Sequence, residues 1–115
     1  MRNDKLSVQS MEFAVAIISL VKELKTVKET IISNQIGRSG TSIGANIHEA
    51  QYAQGTKDFI SKFEIALKEC NESEYWLELL HETNSISEVE FKSFQKECIE
   101  LRRMLVSSVT TLKNK

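Results

Sequence analysis

Ile32-Ser33-Asn34-Gln35-Ile36-Gly37-Arg38-Ser39-Gly40-Thr41-Ser42-Ile43-Gly44-Ala45-Asn46-Ile47-His48-Glu49-Ala50 is the stretch on which the fold turns. Its centre is poor helix material, because each interior glycine costs about 1 kcal/mol against alanine. A loop over Gly37–Gly44 is one reading. Against it, Ile36, Ile43 and Ile47 stay in helical phase across the glycines, and a loop would sever that stripe. A continuous helix follows, with glycines that let a neighbouring backbone come close. Beside the isoleucines runs a second row, Gln35, Ser39, Ser42, Asn46 and Glu49, at steps of four and three. It reads either as a solvated face or as an edge hydrogen-bonding within a bundle or across a subunit contact. The small residues favour the second, since solvated faces usually carry Lys, Glu and Gln.

Three further helices flank this one. Leu6, Phe13, Ile17, Leu20, Leu24 and Val27 form the first stripe, widened by Ala14, Ile18 and Val21 to a buried face. Charge from Lys25 to Glu29 marks a turn. After Gly55, Thr56 reads as an N-cap with Asp58 in the first turn, where the helix dipole favours a carboxylate. Phe59, Phe63, Ala66, Cys70, Ser73, Leu77 and Leu80 make the third stripe. Thr83–Ile86 is a break, and Ser87 with Glu90 has capping-box spacing. Phe91, Phe94, Cys98, Leu101, Leu105, Ser108 and Leu112 make the fourth. Short connections between helices of about 20–27 residues predict an all-α, antiparallel up-down-up-down four-helix bundle. One domain is expected over residues 1–115.

Composition narrows the function classes. Fifteen basic residues against sixteen acidic ones give a net charge of -1, which excludes a strongly basic nucleic-acid arm. Proline is absent, although average usage would place about six, so long helices meet no breaker. No apolar run approaches the roughly 20 residues of a membrane span, and no basic-then-apolar leader opens the chain. A cytoplasmic protein with no membrane partner is expected.

Ser39 through Ala50 resembles the signature of the bacterial four helix bundle proteins first noticed in intervening sequences of large-subunit ribosomal RNA genes. The likeness continues through Gln51-Tyr52-Ala53, Asp58–Phe63, Ile65–Glu69 and Glu74–Leu80, covering helices two and three. It implies a bundle assembled into a ring-shaped homopentamer, and no established enzymatic activity. The chain is also similar to the accessory variability determinant proteins of diversity-generating retroelements, basic pentamers that bind nucleic acid and a reverse transcriptase. From that branch it departs in its charge of -1.

Candidate chemistry is sparse. Glu78 and His81 have Glu-x-x-His spacing, but Ala45 precedes His48 where a second such motif needs a glutamate, so a solvated pair is expected rather than a metal. Cys70 and Cys98 fall on core stripes at similar heights and read as buried reduced thiols. No phosphate loop or cofactor motif is present, and no enzyme is expected. Six positions of helix two carry the family motif and its packing: Ser39, Gly40, Ser42, Gly44, Asn46 and Glu49. Tyr75, Trp76 and Leu79 broaden helix three beyond one core stripe and suit a subunit contact. Arg2, Lys5, Lys57, Lys113 and Lys115 gather at one end against Asp4 and Asp58, while the opposite end is acidic. Repeated around a ring, that end could hold RNA or DNA; equally, its charges could merely keep the assembly soluble. Two function classes remain, a homo-oligomeric nucleic-acid binder and an oligomeric scaffold for a protein partner.

Overall fold

Four apolar stripes, each too wide to leave in water, converge on one core. The computed structural model describes residues 4–115, and its helices are α1 (Asp4–Thr26), α2 (Ile31–Ala50), α3 (Thr56–Glu82) and α4 (Glu88–Lys113). Each packs antiparallel on its neighbours in the order α1–α2–α3–α4, and α4 returns against α1 more lightly. The result is an all-α bundle 47 Å long.

α2 is helical throughout. Ile32, Ile36, Ile43 and Ile47 are buried, and burying a large aliphatic side chain contributes about 1.5–3 kcal/mol, which outweighs the glycines' propensity cost. Thr41 and Ser42 return their hydroxyls to the carbonyls of Gly37 and Arg38, at 2.7 and 2.6 Å, leaving no polar demand on the core.

The connections are built by backbone geometry. α1 and α3 both end with a residue in the left-handed region, Lys28 at φ 63° and Asn84 at φ 59°. In each case two amides reach back: Glu29 N–H to the Leu24 carbonyl and Lys28 N–H to Lys25, then Ser85 N–H to Leu80 and Asn84 N–H to His81. These are paired Schellman closures at one end of the bundle. Ser87 and Glu90 form the expected capping box at the start of α4.

Five expectations need correction. Thr56 is the first residue of α3, and its N-cap is Gly55 at φ 156°, a conformation that side chains other than glycine's rarely adopt. Val27 lies in the α1–α2 turn and is exposed, and Ile18 faces outward rather than widening the core. In α4 it is Val109 that is buried, and Ser108 is half-buried beside it. Ile86, assigned to a polar break, is buried and closes the end of the core.

Candidate functional site

The glycines of α2 all face α1. A Cβ on Gly40 would stand 2.9 Å from Cγ1 of Ile17, and one on Gly44 would stand 3.3 Å from Oγ and 3.4 Å from the carbonyl oxygen of Ser10. Of the polar row, Ser39 is buried and accepts a 2.9 Å hydrogen bond from Ser73 of α3. The others stay local: Ser42 bonds its own helix, and Asn46 donates from Nδ2 to the Ser42 carbonyl at 2.8 Å. Glu49 and Gln35 are exposed. The row is therefore mixed, with one member inside the bundle and two folded back on their own helix.

On α3, Trp76 is half-buried and donates from Nε1 to Glu72 at 2.9 Å. Glu72 also pairs with Arg38, which reaches Glu69 as well, at 3.1 Å. This Arg38–Glu69–Glu72–Trp76 network ties α2 to α3. Sequence reasoning missed it, because the partners lie more than thirty positions apart. Tyr75 stands edge-on to Trp76 with centroids 5.0 Å apart and is 58% exposed; Leu79 is half-buried.

The basic end is weaker than its residue types suggest. Lys5, Lys57 and Lys115 are exposed and make no ion pair among the described residues. Lys113 instead bonds Glu64 at 2.8 Å. Arg2 and the side chain of Asp4 lie outside the described residues.

His81 turns from Glu78 to α4, where Nε2 meets Oε1 of Glu88 at 2.8 Å and the ring stacks flat on Phe91. Lys92 first, then His81, hold the Glu88 carboxyl below its usual range. No cluster of three or more His, Cys, Asp or Glu suited to a metal occurs among the described residues. Cys70 and Cys98 are both buried and free, and the Cys70 thiol donates to the Cys98 carbonyl at 3.3 Å. Its pairing with Cys98 holds the Cys70 thiol below the ordinary range, with Arg102 helping, and the same pairing together with burial pushes Cys98 above it.

A feature that sequence reasoning passed over, apart from placing Ile18 in the core, lies on α1. Val8, Met11, Val15 and Ile18 are 54, 65, 63 and 42% exposed and form a second apolar row on the helix's outer side. Their steps of three, four and three were legible, but the row was counted only through Ile18. A shallow groove between α1 and α2 continues this surface over Ala14, Gly44, Ala45 and His48.

Residues 2–107 match the family model described as 23S rRNA-intervening sequence protein. The chain belongs to this family. Its fold is shared with the crystal structure of a protein of unknown function from the S23 ribosomal protein family of Bacteroides thetaiotaomicron. The two are 48% identical with a TM-score of 0.92, over 96% of this chain and 99% of that one. No curated protein matches the sequence. Neither the family description nor the structural relative carries an enzymatic assignment. No described helix is long and apolar enough to cross a membrane.

Proposed function

We propose that this member of the 23S rRNA-intervening sequence family is a non-enzymatic, cytoplasmic homo-oligomer, a pentamer, that holds RNA or DNA weakly by its phosphates. The observation that carries the reading is the outer face of α1, where four large apolar side chains stand in water on a helix already packed on its other sides. From Phe13 to Val21 that helix contains no charged residue. A helix apolar around its circumference belongs in a buried setting, and assembly supplies one. Assembly would also multiply the unpaired Lys5, Lys57 and Lys115 into a ring of positive charge around one end.

Each phosphate neutralised on duplex DNA adds about -0.9 to the slope of log affinity against log salt, so binding is expected near 50 mM salt and largely lost by 200 mM. Light scattering coupled to size exclusion tests the assembly, and a 13.1 kDa species at micromolar concentration would refute it. Fluorescence anisotropy with single- and double-stranded RNA and DNA tests the second half. Replacing Lys57 and Lys115 by Gln flattens the salt slope, and Lys113→Gln does so less because Glu64 already holds that lysine. A second reading, an oligomeric scaffold for a protein partner, is favoured by the apolar groove beside α1 and by Tyr52, exposed and packed on His48. Assembly without any binding at 50 mM salt would select it.

A further inference from the structure

The outer row of α1 does not stop at Ile18. Val8, Met11, Val15, Ile18, Lys22 and Lys25 continue it in steps of three, four, three, four and three. That is the spacing of a coiled-coil seam, and it is separate from the seam that faces the core. Reading from the chain's start, this second seam is apolar and then basic. Lys22 and Lys25 are exposed and form no ion pair among the described residues.

α3 carries a counterpart on the far side of the bundle. Its outward row is Ile65, Lys68, Glu72, Tyr75, Leu79 and Glu82, in the same alternation of steps. Ile65 and Tyr75 are exposed, Leu79 is half-buried, and the row ends in acid, with exposed Glu78 beside Glu82. α1 and α3 run in the same direction, and their backbones do not approach one another within the chain. Their levels correspond. Gly40 faces Ile17 while its neighbour Ser39 bonds Ser73, so Ile17 and Ser73 stand at about the same height. At 1.5 Å per residue, Ile18 then lies within about a turn of Tyr75, and Lys22 and Lys25 within about a turn of Glu78 and Glu82.

We infer that the outer face of α1 docks on the outer face of α3 of a second copy of this chain, the two helices parallel and in register. This rests on the assembly reading above and gives it a contact. Apolar Val8 and Ile18 meet Ile65 and Tyr75, the Lys22 stem covers Leu79, and the lysine heads meet the Glu78 and Glu82 carboxylates. Glu72, about level with Val15, stays paired with Arg38 and Trp76. Because the two faces differ, the contact is head-to-tail, which closes a ring when the rotation between copies permits. Charge complementarity sets the register: an antiparallel approach would put Lys22 and Lys25 at the end away from Glu78 and Glu82.

The experiment is size exclusion with light scattering on the full chain and four variants, with circular dichroism melts alongside. V15E/I18E removes the apolar half and is expected to give a folded species near 13 kDa, because both side chains face water in the single chain. K22E/K25E and E78K/E82K each weaken the oligomer at least tenfold in dissociation concentration. The quadruple variant, which exchanges both charges in one chain, recovers most of the loss. If the parent assembles and V15E/I18E assembles equally well, the contact lies elsewhere, and the inference falls while the assembly reading stands. If V15E/I18E dissociates but the quadruple variant recovers nothing, α3 is not the partner face and the inference is overturned. A monomeric parent overturns both.

Discussion

Gly40 gives up helix propensity so that Ile17 can lie directly against the α2 backbone. The nearest atoms to its absent side chain are the Cγ1, Cγ2 and Cβ of Ile17, at 2.9–3.3 Å. A β-branched side chain is stiff at χ1 and cannot swing aside. Gly40→Ala would gain about 1 kcal/mol of propensity, but the clash in a packed seam costs about 1–3 kcal/mol. The expected outcome is a net loss of up to about 2 kcal/mol in a urea melt. Gly37→Ala, against the more remote Val21 Cγ2 at 3.3 Å, is expected to be near neutral or stabilising and serves as the control. The helical state of this glycine-rich stretch was legible because Ile36, Ile43 and Ile47 keep phase across it. Which residue fills each glycine's space was not, since that depends on the height at which α1 meets α2.

Helix ends were legible only where both halves of the device lie close in the sequence. Ser87 and Glu90 are three residues apart, and their capping box was found. Thr56 has the right residue type for a cap, yet Gly55 holds the capping position because its φ of 156° suits glycine. The αL closure at Lys28 left no sequence signal at all; the charges around it marked a turn, but not its hand. A lysine in that conformation is strained by about 1–2 kcal/mol relative to a residue without a Cβ. Part of that is offset by glycine's greater freedom in the unfolded chain. Lys28→Gly is therefore expected to stabilise by about 0.5–1 kcal/mol, seen as a higher Tm with unchanged helical content. Asn84, at φ 59° in the corresponding place after α3, tolerates αL better, and Asn84→Gly should gain less.

At the scale of the whole molecule, the bundle closes where its first and last helices meet, and that seam carries an unfavourably placed carboxylate. Gln9 donates to Glu100 across it at 3.0 Å, and Phe13 meets Phe94 edge-on. Glu97 stands beside them, its carboxyl pushed above the usual range by burial, then by Glu100 and Glu12. The folded protein thus binds that proton more tightly than the unfolded chain does. Glu97 lowers stability at neutral pH, and the penalty lifts as pH falls through the raised value toward the ordinary one. Solvent screening keeps the effect under about 1 kcal/mol. Glu97→Gln is expected to raise Tm at pH 7, with the gain shrinking toward pH 4; an equal gain at both pH values would point to packing instead. The basic end was legible as a set of lysines, but Lys113 is drawn to Glu64 on another helix, so the set is smaller than the sequence implies. The outer row of α1 was visible as spacing, yet spacing does not tell how many sides of a helix its own chain will cover. The lightness of the α1–α4 seam also has a kinetic consequence. The three closer packings join helices adjacent in the chain, so most native contacts bridge short loops, and chains built from local contacts fold on the microsecond-to-millisecond scale. Only the seam must bring residues some ninety positions apart together, as Gln9 and Glu100 are. It is expected to form last on folding and to open first in native-state hydrogen exchange.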